Sequence, residues 1–257
     1  MSQLLRLVDI VAQLRGEEGC PWDNAQDLQT MRPYLLEETY EVLEAMEAGA
    51  ESQGEGITGE LGDLLFVILL LAQITHDQGH GGLEDVARKI SEKMIRRHPH
   101  VFGSGSDSEN PGGIGAWEAR KQKEGRGRLD GVPRTLPALL RAHRQAEKAA
   151  ATGFDWPDVQ GVLAKVREEI DELEEALLDG SQAEIDHEFG DILLAMANLG
   201  RHIGAPPEAS LRAANDRFSR RFGRLEEIAS AEGLTLNEHT DPVALNGLWE
   251  RVKAEEI

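Results

Sequence analysis

The stretch GELGDLLFVILLLA, from Gly59 to Ala72, decides the fold. An acidic turn, Glu60-x-x-Asp63, runs without a break into nine apolar residues, Leu64 to Ala72, five of them leucine. Periodicity alone fits either a buried strand or a buried helix. The leucine content and the continuation from a polar helical turn select helix. Nine residues is about half a membrane span, so a buried core helix is predicted. The stretch recurs as HEFGDILLAMANLG, His187 to Gly200.

Working outward, the recurrence extends in both directions. LEETYEVLEAMEAG from Leu36 parallels REEIDELEEALLDG from Arg167, so Glu38 and Glu169 stand 131 residues apart, whereas Glu60 and Glu188 stand 128 apart. Upstream, Gly19-x-x-Trp22-x-x-x-Gln26 parallels Gly153-x-x-Trp156-x-x-x-Gln160 at an offset of 134. Downstream, Lys93 to Arg97 parallels Arg217 to Arg221, and Trp117-Glu118-x-x-Lys121 parallels Trp249-Glu250-x-x-Lys253. Blocks repeating in one order read as a tandem duplication. The Gly/Ser/Asn/Pro-rich stretch 103–115 reads as a surface loop. The boundary is expected near Gly125, giving domains 1–124 and 125–257, each of ordinary size. Sustained period-2 alternation is absent, so the expected fold class is all-α, a repeat of two helical bundles.

Residues three or four apart on a helix share a face. Glu38 with Glu41, and Glu60 with Asp63, are therefore co-facial pairs, as are Glu169 with Glu172 and Glu188 with Asp191. Antiparallel packing of each helix pair brings four carboxylates to one spot in each half. A single Glu-rich face is usually solvated surface. Two acidic motifs in the same order in both halves, each tied to an apolar helix, point instead to a metal site, because acids beside a buried face need a partner.

An all-carboxylate set favours a hard cation, Mg²⁺ or Mn²⁺. The eight histidines supply no convincing zinc set. A di-iron bundle needs Glu-x-x-His in two helices; Glu184-x-x-His187 has no counterpart at Gly56 to Gly59. Mg²⁺ commonly shares its coordination with substrate phosphates. Charges near 4 Å interact by roughly 4 kcal/mol at an effective dielectric of 20, so acids and a triphosphate together require cations. Lys165, one turn before Glu169, and the pair Arg217 and Arg221 are the candidates.

Composition limits the partners. The chain has 257 residues and a formal charge of −20, which argues against broad binding to nucleic acid or anionic membranes. The one cysteine, Cys20, excludes an internal disulfide framework and fits a reducing cytoplasm. The first residues form an interrupted helical stripe rather than a signal peptide.

These residues resemble the MazG nucleoside triphosphate pyrophosphohydrolases, whose signature is Glu-Glu-x-x-Glu followed by Glu-x-x-Asp. Here it stands as Glu37-Glu38-x-x-Glu41 with Glu60-x-x-Asp63, and as Glu168-Glu169-x-x-Glu172 with Glu188-x-x-Asp191. The strings GCPWD, RRHPHVF, GFDW and RRF also resemble the long, two-copy members. The resemblance implies Mg²⁺-dependent hydrolysis of nucleoside triphosphate to monophosphate and pyrophosphate, broad base tolerance, a role in nucleotide-pool control and a homodimer. It implies that Glu169, Glu172, Glu188 and Asp191 hold metal in the second half, and Glu38, Glu41, Glu60 and Asp63 in the first. It assigns Lys165, Glu168, Arg217, Arg221 and Trp249 to the triphosphate and base, with Glu168 orienting or deprotonating the attacking water. The second half is expected to be the main catalytic unit, because Tyr34 stands where Lys165 would in the first. The alternatives are a non-catalytic Mg-nucleotide-binding helical dimer and a narrower pyrophosphatase for deoxy or modified nucleotides.

Overall fold

The computed structural model describes residues 2–48, 56–102, 127–237 and 240–255. Among them every regular element is a helix, so the all-α expectation holds. The chain divides into two compact units, Met1–Gly112 and Gly113–Ile257. The boundary expected at Gly125, the loop 103–115 and the segment from Trp117 to Glu124 lie outside the described residues.

The first unit contains α1 (Gln3–Leu14), α2 (Pro21–Ala25), α3 (Arg32–Ala48), α4 (Gly56–Asp77), α5 (Leu83–Arg97) and the single turn α6 (Pro99–Phe102). α4 packs along α3 and against α1 and α5. Val11 from α1, Met31 just before α3, and Val67, Leu69, Leu70 and Ile74 from α4 form one core. Full burial of such a side chain contributes about 1.5–3 kcal/mol. Beside this core the Trp22 ring meets Tyr34 edge-on, centroids 5.5 Å apart.

The apolar run that suggested half a membrane span lies inside a helix of 22 residues that contains an 18-residue window with a mean hydropathy of 1.8. By length and composition alone such a helix could cross a bilayer, which corrects the estimate made from the nine-residue run. Gly62 and the isolated acids Glu60 and Asp63 do not terminate it, since one glycine costs a helix only about 1 kcal/mol. Its most apolar face is occupied by protein: Val67, Leu69, Leu70, Ala72 and Ile74 are buried.

The second unit contains α7 (Ala138–Ala150), α8 (Val159–Asp179), α9 (Gln182–His202), α10 (Pro207–Ala231) and α11 (Pro242–Glu255). α8 and α9 form the most extensive helix pair, and α7 packs on α9. Capping fixes where the pair begins and turns. The Asp158 carboxylate accepts from the Gly161 amide at 3.0 Å to start α8. Ser181 and Glu184 form a capping box at the start of α9, an arrangement that satisfies otherwise orphaned amides. Glu184 is thereby a cap rather than half of an iron-binding Glu-x-x-His. A second core joins Leu225, Ile228 and Ala229 of α10 to Leu248 and Val252 of α11.

Candidate functional site

Within each unit the two acidic motifs meet across their helix pair. In the second unit, ligand oxygens of Glu169 and Glu172 on α8 and Glu188 on α9 all lie within 4.8 Å of one another. In the first, Glu38 on α3 meets Glu60 and Asp63 on α4 within the same limit. Three of the four expected acids therefore converge in each unit. Asp191 stands outside its trio, with its carboxylate 3.4 Å from His187 Nε2. Glu41 stands outside the other, yet its charge still acts on Glu38.

Electrostatics show what these groups lack. Burial, then the like charges of Glu41 and Asp63, pushes Glu38 above the usual carboxylate range. Glu38 Oε2 is buried without a hydrogen-bond partner. In the second unit, desolvation raises the Glu172 carboxyl against the opposing attraction of Lys165, and the neighbouring Glu169 and Glu188 push it the same way as desolvation. Lys165 Nζ donates to Glu168 Oε1 at 2.6 Å and lies 2.9 Å from Glu169 Oε1. Those contacts, Glu168 first, hold its ammonium above the ordinary lysine range. Glu169 itself is 5% exposed. Oxygen-only donors, crowded and partly desolvated, fit a hard divalent cation in both units.

The second unit adds a cavity of about 330 Å³, which Lys165, Glu169 and Asp191 help to line. Its other walls come from Leu129 ahead of α7, from α7, from the loop before α8, from Val162 on α8 and from α9, including Ala146, Ala149, Phe154, Trp156, Leu194 and Asn198. Two glycines shape the loop. Gly153 turns the chain at φ +87°, and Gly161 lets the Trp156 ring lie against α8, where an added Cβ would meet Cδ1 at 2.8 Å. A polar network closes one wall. Arg201 Nε donates to Asn198 Oδ1 at 2.9 Å, and Arg201 Nη2 donates to Asp155 Oδ1. His202 Nε2 lies 3.0 Å from that same oxygen. Desolvation opposes the ionised Asp155, but the bonds from Arg201 and His202 outweigh it and hold its carboxyl below the usual range.

Sequence reasoning missed Asp155, Asn198, Arg201 and His202, although the repeat carried a signal for them. At the offsets of the repeat, the core residues Val11, Met31, Leu70 and Ile74 correspond to Gln145, Val162, Asn198 and His202. Three apolar positions of the first unit are thus polar in the second. Arg15 corresponds to Ala149; its guanidinium, largely buried, reaches Asp77 at 2.8 Å and the Gln26 carbonyl at 3.1 Å. The cavity beside α1 and α4 is correspondingly small, about 50 Å³.

Three expected substrate residues do not line the large cavity. Arg217 and Arg221 lie on α10, and Trp249 on α11 packs against Phe218 with ring centroids 5.6 Å apart. Trp249 also borders the core of Leu225, Leu248 and Val252.

Comparison with known proteins agrees with the geometry. The model of the MazG nucleotide pyrophosphohydrolase domain matches residues 26–102, the segment holding the first pair of acidic motifs. A nucleoside triphosphate pyrophosphohydrolase of Escherichia coli K12 is 42% identical across the whole chain and 99% of its own length. The nucleoside triphosphate pyrophosphohydrolase/pyrophosphatase MazG of Thermotoga maritima is 40% identical over 96% of this chain and 94% of its own. A Bacillus subtilis protein, YabN, is 41% identical over 96% of this chain, which spans 51% of that relative. With matching acids, helices and full-length likeness, the chain belongs to the MazG family of nucleotide pyrophosphohydrolases.

Proposed function

We propose that the second unit of this nucleoside triphosphate pyrophosphohydrolase, a hydrolase of acid anhydrides, binds the triphosphate beside Glu169, Glu172 and Glu188 and cleaves it between the α- and β-phosphates. The observation that carries this reading is the convergence of those oxygens within 4.8 Å beside a cavity that Lys165 and Glu169 help to line. Glu169, Glu172, Glu188 and, from the cavity wall, Asp191 would hold Mg²⁺ or Mn²⁺. When bound, such ions polarise phosphoryl oxygens and lower the pKa of coordinated water.

The chain's own groups do the remaining work. Lys165, released from Glu168, neutralises the phosphate tail, with Arg217 and Arg221 on α10 receiving the departing pyrophosphate. Glu168 is exposed and outside the acid trio, so it is free to orient or deprotonate the attacking water once Lys165 turns to phosphate. Broad base tolerance and nucleotide-pool control follow from the family rather than from any group described above. The charge of −20 supports a small-molecule substrate over nucleic acid, and Cys20 supports a reducing, cytoplasmic setting. Exposed Phe189, Leu193 and Met196 form an apolar row on α9, which supports self-association as a homodimer.

A second reading applies to the first unit alone. Its acids are intact, but Leu70 and Arg15 occupy the positions that open a cavity in the second unit. We infer a copy of the same ancestral unit retained for metal binding or assembly. The test of the main reading is product identification from ATP with and without Mg²⁺. AMP and pyrophosphate support it; ADP and phosphate, or bound but intact nucleotide, contradict it.

A further inference from the structure

We propose that residues 151–158, between α7 and α8, form a releasable strap along the cavity of the second unit, and that Asp155 is the positioning residue that latches it to α9. The proposal deepens the function proposed above and rests on it, because the strap borders the cavity that Lys165 and Glu169 help to line. Three consecutive strap residues, Phe154, Asp155 and Trp156, belong to that wall.

Hydrogen bonding shows how the strap is held. Among the described residues, no backbone–backbone bond ties 154–157 to another element. The Asp158 cap and the contact of Trp156 with Gly161 are local, and both join the strap to the start of the helix that follows it. The hydrogen bonds that cross to α9 converge on Asp155. Its Oδ1 accepts from the Trp156 amide at 2.9 Å and from Arg201 Nη2, and His202 Nε2 lies 3.0 Å away. One oxygen thus sets both the local backbone of the strap and its distance from α9. The Arg201 and His202 side chains are mostly buried, where charge-assisted bonds are strong. Just before the latch, Gly153 at φ +87° supplies a hinge conformation that other residues rarely adopt. Phe154, also beside the latch, is 77% exposed, so apolar burial does little to keep the strap in place.

The first unit fixes the equivalent segment differently. At the offsets of the repeat, Pro21, Gln73 and Ile74 stand where Asp155, Arg201 and His202 do. There the segment is a helical turn, α2, and Arg15 Nη1 donates to the carbonyls of Asp23 and Gln26. Ile74 belongs to the apolar core. A segment built into a core moves only if the core unpacks. An ionic latch opens by exchanging a few bonds with water, which suits a wall that substrate and product must pass.

The test follows Trp156 by fluorine NMR in full-length protein labelled with fluorotryptophan, its line assigned through Trp156→Phe. Wild type is compared with Asp155→Ala, Asp155→Asn and Arg201→Gln. Asp155→Ala is expected to shift the Trp156 line and to raise KM for ATP about tenfold, with kcat held within about twofold. Affinity for Mn²⁺ alone, measured calorimetrically, stays unchanged, because the latch includes none of the converging acids. Asp155→Asn keeps an acceptor oxygen and is expected to restore most of both readouts, with Arg201→Gln in between. An unmoved Trp156 line in Asp155→Ala overturns the latch, as does a joint loss of kcat, ATP affinity and Mn²⁺ affinity. Should Asp155→Ala fail to fold, the same criteria apply to Arg201→Gln. Should wild type bind ATP without releasing pyrophosphate, the catalytic reading fails separately. The Trp156 line and the ATP dissociation constant then decide the latch.

Discussion

Where α4 of the first unit buries Leu70 and Ile74, α9 of the second carries Asn198 and His202 at the matching positions, 128 residues on. Where Arg15 fills space in the first unit, Ala149 leaves it open in the second. Tyr34 packs on Trp22, while its counterpart Lys165 pairs with Glu168 and Glu169. Both units keep three converging carboxylates. The difference teaches that acids alone do not make a substrate site here. Room beside them, and a cation to meet a phosphate tail, separate the unit assigned to catalysis from the one assigned to support.

The largest expected effect breaks the comparison at its centre. Glu169→Gln is expected to lower pyrophosphate release by about a thousandfold, a loss of the size seen when a charge-stabilising group leaves an active site. Glu38→Gln should retain most of the rate. Equal losses in steady-state assays would dissolve the distinction between units.

Exchanging the packing residues sharpens the contrast. Leu70→Asn places an amide in the core of Val11, Met31 and Ile74 and is expected to destabilise the first unit by about 3 kcal/mol. Asn198→Leu removes a polar group at a cavity wall and should change stability by about 1 kcal/mol or less. Thermal melts of both variants check the asymmetry; similar losses would mean that the second unit packs as tightly as the first.

These positions also show how much was legible beforehand. Helices were readable because Glu168-Glu169-x-x-Glu172 and the apolar stripes repeat at helical spacing, and spacing fixes which residues share a face. The acid trios followed, since Glu188 lies on the helix whose apolar side must pack on α8. Sequence spacing does not say which other helix lies across from a face. Arg217, Arg221 and Trp249 sit on α10 and α11, and their place relative to the acids is a tertiary fact. Asn198 was hidden for the opposite reason. Its helix was placed, but a polar residue in an apolar run acquires meaning only once Arg201, Asp155 and the space beside it are seen together.

Smaller effects test the charge balance. Mg²⁺ is expected to raise the melting temperature of wild type by a few degrees, through binding to the folded state alone. Glu188→Gln should reduce that shift. An identical shift in wild type and in a Glu169→Gln/Glu188→Gln double variant would place the responsible ions elsewhere.

The smallest effect is set by Asp155. Its folded carboxyl lies below the ordinary aspartate value of 3.8, so its ion pair stabilises the protein above that value and is lost as pH falls through the folded one. Wild type should therefore melt above Asp155→Asn near neutral pH, and the gap should close below about pH 4. A gap that stays constant in melts down to pH 3 would show that Asp155 acts by packing rather than by charge.

The most direct measurement is anomalous diffraction from crystals grown with Mn²⁺ and a nucleoside triphosphate analogue that cannot be cut between the α- and β-phosphates. The account predicts manganese among Glu169, Glu172 and Glu188, with the triphosphate beside Lys165. Manganese and analogue seated on the first unit, with the acids of α8 and α9 bare, would contradict it.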